Sequence, residues 1–211
     1  MAPIFRHETL LSFVPIFAKM ADQQVERWRA AKPGEPVDAA AAMTRTTFDI
    51  IVDAMFGRSA SLDAESFGRA LTDSFNTIPW QVIYVAFSLP EWLPYPNRRR
   101  GLRARDSLRR ELLRIVEGRR ANSWAHPDLL GLLLAARDPE TGRTMTDADV
   151  VNNLLTFITA GHETTAVALS WTLWLLAKDQ ATQQRTYEEA KAVAGDGTID
   201  ALPKDLSILV K

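Results

Sequence analysis

Apolar residues return every three or four positions along most of the chain, the spacing of amphipathic helices rather than of strands. Leu10, Phe13, Val14, Phe17, Met20, Ala21, Val25 and Trp28 form the first such run, with Lys19, Asp22, Gln23, Glu26 and Arg27 between them. Pro15 suits the first turn of that helix, where a missing N–H costs little, and Lys32-Pro33-Gly34 ends it. Asp38 is placed to cap a second helix through Met43, Phe48, Ile51, Val52 and Met55, with Gly57 as its stop. A third is predicted over residues 63–77. Residues 82–87 are apolar but too few for periodicity to separate a strand from a helix end. Pro90, Pro94 and Pro96 then interrupt both helix and central strand, leaving a connection that carries Trp92 and Tyr95.

A long helix is predicted over residues 97–122. Ten arginines lie between positions 98 and 120, against Asp106, Glu111 and Glu117. This reads as a solvated face, with Leu102, Leu108, Leu112, Ile115 and Val116 turned inward; a partner or anionic surface is the other reading. His126-Pro127-Asp128 opens a short apolar helix over 129–136, with His126 as an exposed turn residue, and 138–143 is a turn. Thr146-Asp147-Ala148-Asp149 is a helix start, an alcohol at the cap and acids in the first turn. From there the helical pattern runs to about residue 177, ~48 Å at about 1.5 Å per residue. Apolar residues fall on nearly all its sides, so it is predicted to be buried and to cross the whole molecule.

Composition narrows the function classes. The 25 Lys+Arg and 26 Asp+Glu of the 211 residues nearly cancel, giving a net charge of −1, so no global excess charge drives binding to nucleic acid or an anionic membrane. The absence of cysteine excludes disulfides, a thiol nucleophile, Cys-based zinc sites and a haem thiolate from this chain. His7, His126 and His162 lack metal-site spacing, so no metal ligand is assigned. The longest nearly apolar stretch, 166–177, has 12 residues, short of the roughly 20 of a membrane span. Without a recognisable leader pattern, the expected location is cytoplasmic.

One segment violates the helical pattern. Ala160-Gly161-His162-Glu163-Thr164-Thr165 puts a glycine, a histidine, a carboxylate and two hydroxyls where leucines would pack better. Glycine costs about 1 kcal/mol against alanine in a helix interior, and burying an unpaired carboxylate costs several kcal/mol more. Such violations gather at functional sites. Small side chains at Ala160 and Gly161 would let a flat ligand approach the backbone. Thr156, Ala160 and Thr164 share a face at i, i+4 and i+8, and Glu163 beside Thr164 supplies the parts of a proton relay. The bland alternative is that one helix ends at Ala160-Gly161 and another begins at Glu163.

These residues resemble the A/G-G-x-D/E-T-T/S motif in the long central helix of cytochromes P450. Residues 127–136 and 138–143 resemble the helix and turn before it. Residues 179–193, with Tyr187-Glu188-Glu189-Ala190, resemble the helix after it. Thr47-Phe48-Asp49-Ile50-Ile51 and Phe56-Gly57 resemble an earlier helix, and Ala2-Pro3-Ile4-Phe5 the segment that follows the family's haem-contacting helix. The resemblance covers nearly the whole chain and about the middle half of the family's fold. It implies a mainly α, partial cytochrome P450 fold, with a long central helix surrounded by others, and one partial helical domain over 1–211. The complete protein would be a haem-thiolate monooxygenase. It would take electrons from a redox partner and place one atom of O2 into a small apolar organic substrate. Glu163 and Thr164 would be catalytic, Ala160, Gly161 and Thr165 would adjoin the haem, and Thr156 and Phe157 the substrate. The family's cysteine loop, its E-x-x-R pair and its N-terminal lobe have no counterpart here, so the chain reads as an internal fragment expected to be inactive alone. The alternative is an all-helical ligand-binding regulator or partner-binding protein using the arginine-rich helix over 98–120.

Overall fold

The structure, a computed structural model, describes residues 7–32, 34–57, 62–90, 92–122, 128–138 and 140–194. His126 lies outside them. The described residues are helical apart from turns and one isolated bridge, Arg137 to Thr144. They cluster into two units: residues up to Ile51 together with those from Gly161, and Val52–Ala160.

The first unit opens with α1 (His7–Ser12) and α2 (Val14–Arg29). The single apolar run read from the sequence is thus two helices, broken at Phe13. Pro15 sits at the start of α2, and a proline ring clashes with the carbonyl four residues back in any helix continued through it. Asp38 caps α3 (Ala39–Phe56), its carboxylate accepting from the Ala41 N–H at 2.9 Å. Gln24 of α2 is buried and accepts from the Thr46 hydroxyl of α3 at 3.2 Å.

In the second unit Asp63 caps α4 (Ala64–Phe75), accepting from the Glu65 and Ser66 N–H groups. The Ser66 side chain, then the Ser66 N–H, holds that carboxyl below the ordinary carboxylate value. Residues 82–86 resolve as helix, within α5 (Ile78–Ala86), and Phe87 is its C-cap. The arginine-rich α6 (Arg98–Ala121) packs on α4 and buries Ala104, Leu108, Leu112 and Val116; α7 (Leu129–Ala135) follows it. Gly101 lets α6 approach the end of α4. A Cβ there would fall on Thr77 Cγ2 and lie 3.2 Å from the Asp73 carbonyl oxygen. Two details differ from the solvated-face reading. Leu102 is exposed, because it lies about 100° round the helix from buried Gly101. Arg119 is buried: its guanidinium forks onto Asp128 at 2.9 and 2.7 Å and also donates to the Phe56 carbonyl at 3.2 Å.

α8 (Asp147–Lys178) is one continuous helix of 32 residues, followed by α9 (Gln180–Ala194). Its start is a reciprocal cap, with the Asp149 N–H donating to Thr146 Oγ1 and the Thr146 hydroxyl donating to Asp149. Burial along it is uneven. Val150, Val151, Leu154 and Ile158 are buried, whereas Val167, Leu169 and Leu175 are exposed and Trp171 and Trp174 are 59% and 48% exposed. Burial along the whole rod, as predicted, therefore does not hold: beyond Ala166, which is buried, its large apolar side chains are exposed among the described residues. Exposed apolar area of this kind drives association. Replacing Trp171 and Trp174 together with serine is expected to reduce hydrophobic-dye binding and sedimenting oligomers while leaving helix content within error. Unchanged dye binding would show that the two indoles are not the adhesive surface. No described helix is long and apolar enough to cross a membrane.

Candidate functional site

The motif that breaks the apolar pattern lies inside α8 with no interruption, so the reading in which one helix ends at Ala160-Gly161 and another starts is overturned. Its carbonyls and amides stay in the helical ladder, so the polar side chains are presented from a rigid rod. Thr156, Phe157 and Ala160 belong to the second unit, and Gly161 to Thr165 to the first.

The side chains divide by direction. Gly161 faces α3, where an added Cβ would meet Ile51 Cδ1 at 2.5 Å. His162 is buried with its ring edge-on to Phe48, centroids 5.7 Å apart. Thr47 Oγ1 of α3 lies 3.0 Å from the His162 carbonyl oxygen and also close to the Met43 and Thr44 carbonyls. Thus Ile51, Phe48 and Thr47 seat the motif on α3. Ala160, Glu163, Thr164 and Thr165 are exposed on other faces, as is Thr156, while Phe157 is half-buried. Thr156, Ala160 and Thr164 follow one another at four-residue steps, so they form a stripe of small and hydroxyl-bearing side chains along the helix. The Thr156 hydroxyl donates to the Asn152 carbonyl one turn back, at 2.8 Å.

Within the second unit a cleft of about 350 Å³ opens among α4, α5, α6 and the first half of α8. Thr156 lines it, with Asn152, Leu155 and Thr159 from the same helix; Phe157 is not among its lining residues. Arg105 and Arg109 of α6 also line it. Sequence reasoning missed this pair by assigning the arginines collectively to solvent. Their four-residue spacing on one helix face was the available signal.

The chemistry of the donor set bears on a haem. The small, exposed Ala160 leaves room for a flat group to approach the backbone, and Glu163 and Thr164 are exposed. His162, the histidine of this segment, is turned into the α3 contact, and the 211 residues contain no cysteine. The residues present therefore fit one face of the macrocycle and offer no thiolate to its iron.

The cytochrome P450 family model matches residues 1–206. A bifunctional cytochrome P450/NADPH–P450 reductase, ALT2 of Alternaria alternata, is 32% identical over 223 residues, covering 99% of this chain and 19% of that protein. The putative cytochrome P450 135A1 of Mycobacterium tuberculosis is 31% identical, covering 97% of this chain and 44% of that one. The crystal structure of the cytochrome P450DA heme domain superposes with a TM-score of 0.76 at 26% identity, covering 99% of this chain and 44% of that chain. The chain belongs to the cytochrome P450 family. It spans under half the length of these relatives. The family match favours an enzyme lineage over the helical-regulator alternative.

Proposed function

We infer that the complete protein is a haem-dependent monooxygenase acting on a small, mainly apolar organic molecule, and that residues 1–211 form one partial helical domain supplying its central helix. The observation that carries this reading is the stripe of Thr156, Ala160 and Thr164 on an unbroken α8, with Glu163 beside it. The haem, when bound, supplies oxygen activation. This chain's part is to hold and feed that chemistry. Ala160 leaves room for the flat group. Gly161 contributes by seating α8 on α3, and Thr165 lies next to the stripe. The Thr164 hydroxyl positions a proton or a water at the stripe, and Glu163, open to solvent, reloads it. Thr156 and Phe157 border the substrate. Reducing equivalents come from a redox partner, a reading supported by the reductase domain named for the ALT2 relative.

Without a thiolate the isolated 211 residues are expected to be inactive. The test compares two proteins: this chain, and a version extended through the coding sequence after Lys211. The extension should encode an E-x-x-R helix and a glycine-rich cysteine loop. After haem addition, reduction and exposure to carbon monoxide, the extended protein should give a thiolate-type spectrum and the 211-residue chain should not. A stable thiolate-type spectrum from the short chain, or none from the extended one, would overturn this assignment.

A further inference from the structure

We propose that Thr47 of α3 is a positioning residue: through the His162 carbonyl, its hydroxyl fixes the turn of α8 that carries Glu163 and Thr164. Thr47 is 4% exposed, and its Oγ1 lies 3.0 Å from the His162 carbonyl oxygen. All of these residues belong to the first unit. In an α-helix the carbonyl of residue 162 closes a turn with the N–H of residue 166. The residues inside that turn are Glu163, Thr164 and Thr165, the ones read as acid, hydroxyl and haem neighbour. A donor from another helix at this carbonyl therefore holds the peptide plane from which the turn starts, and with it the direction in which those side chains leave the rod. Ile51 against Gly161 is an apolar contact, and such contacts are non-directional. A hydrogen bond weakens steeply off its axis, so the hydroxyl sets rotation where the packing sets only distance.

A helical threonine ordinarily donates to a carbonyl three or four residues back. Thr47 has that choice in Met43 at 2.9 Å and Thr44 at 3.1 Å. Its one hydroxyl hydrogen serves one of these carbonyls at a time, so the α8 carbonyl competes with those of α3, and the turn is held whenever the hydrogen swings toward it. The preceding residue gives an internal contrast. Thr46 is also buried on α3 and lies 2.9 Å from the Ala42 carbonyl, but its hydroxyl reaches Gln24 Oε1 of α2 at 3.2 Å. Two neighbouring threonines thus tie the same helix to different partners, and only the second of these ties meets the motif. The role assigned to Thr47 rests on the monooxygenase reading for what Glu163 and Thr164 do, not for the tether itself.

The first test reads amide hydrogen exchange in the 211-residue chain without haem. Thr47→Val keeps the shape and removes the hydroxyl. It is expected to speed exchange over residues 163–166 about fivefold, the worth of one buried hydrogen bond, while Thr47→Ser returns it close to wild type. Amides of α2, in the same unit, should be unchanged by either. If Thr47→Val does not fold, Thr47→Ala against Thr47→Ser isolates the same hydroxyl. In the extended, haem-loaded protein Thr47→Val is expected to lower turnover about tenfold with KM unchanged, the scale of a small misplacement. It should also displace the limb of the pH–rate profile that Glu163→Gln removes, and Thr47→Ser should restore both. Thr46→Val should alter neither the exchange over 163–166 nor that limb. Unchanged exchange over 163–166, an equal rise in Thr46→Val, or no recovery in Thr47→Ser would overturn the tether. Faster exchange with an unaltered pH–rate profile would overturn the positioning role. Either failure is separable from failure of the monooxygenase reading, which the carbon monoxide spectrum tests with Thr47 in place.

Discussion

Arg119→Ala is expected to destabilise the second unit by about 3–5 kcal/mol, the cost of removing one partner from a buried ion pair. The Arg119 and Asp128 side chains are 5% and 3% exposed, and the guanidinium engages both carboxylate oxygens. The same Asp128 accepts from the Gly131 N–H at 2.8 Å at the start of α7, and the same arginine donates to the carbonyl of Phe56 near the end of α3. Truncation therefore leaves both a carboxylate and a carbonyl short of a donor in a dry environment. Urea unfolding followed by circular dichroism should show the loss as a lower midpoint. Arg119→Lys should recover little, since an ammonium cannot fork. The double variant Arg119→Met/Asp128→Leu should recover most of it, because removing both charges also removes the desolvation penalty. A loss below about 1 kcal/mol for Arg119→Ala, the range of exposed pairs, would show that the bridge does not hold this corner together.

The second large effect concerns the proton path proposed through Glu163 and Thr164. In the complete, haem-loaded protein, Glu163→Gln is expected to lower turnover on the order of 100-fold, the lower end of the contribution of a positioned acid or base. Substrate affinity should stay within error, because glutamine keeps the shape and removes only the titrating group. Glu163→Asp should retain part of the activity, and its pH–rate profile should keep a limb that the glutamine variant loses. For Thr164 the informative pair is Thr164→Ala against Thr164→Ser: the serine should restore coupling that the alanine abolishes, since it returns the hydroxyl without the methyl. Wild-type turnover in Glu163→Gln would show that the carboxylate is a solvated helix residue and no more.

Much of the fold could be read from local chemistry. Asp38, Asp63 and Thr146 announced helix starts because a cap is a contact between residues two or three apart. What sequence pattern concealed was contact at a distance. Nothing near Arg119 distinguishes it from the other nine arginines of its helix; its partners are 9 and 63 residues away. The seating of Gly161 on Ile51 depends on where α3 crosses, which periodicity does not encode. The second half of α8 shows the complementary failure. Its composition states that a cover is wanted, but composition carries no information on whether the cover is within these residues. Residues 82–87 were undecidable because six apolar positions satisfy either period.

Gly101, Arg105 and Arg109 lie at four-residue steps on one face of α6. The bare Cα at the first of them rests against Thr77 and the Asp73 carbonyl at the end of α4. A methyl there would have to displace the Thr77 side chain and would crowd the Asp73 carbonyl oxygen. The spacing in this corner of the second unit is therefore set at a residue that bears neither charge nor side chain.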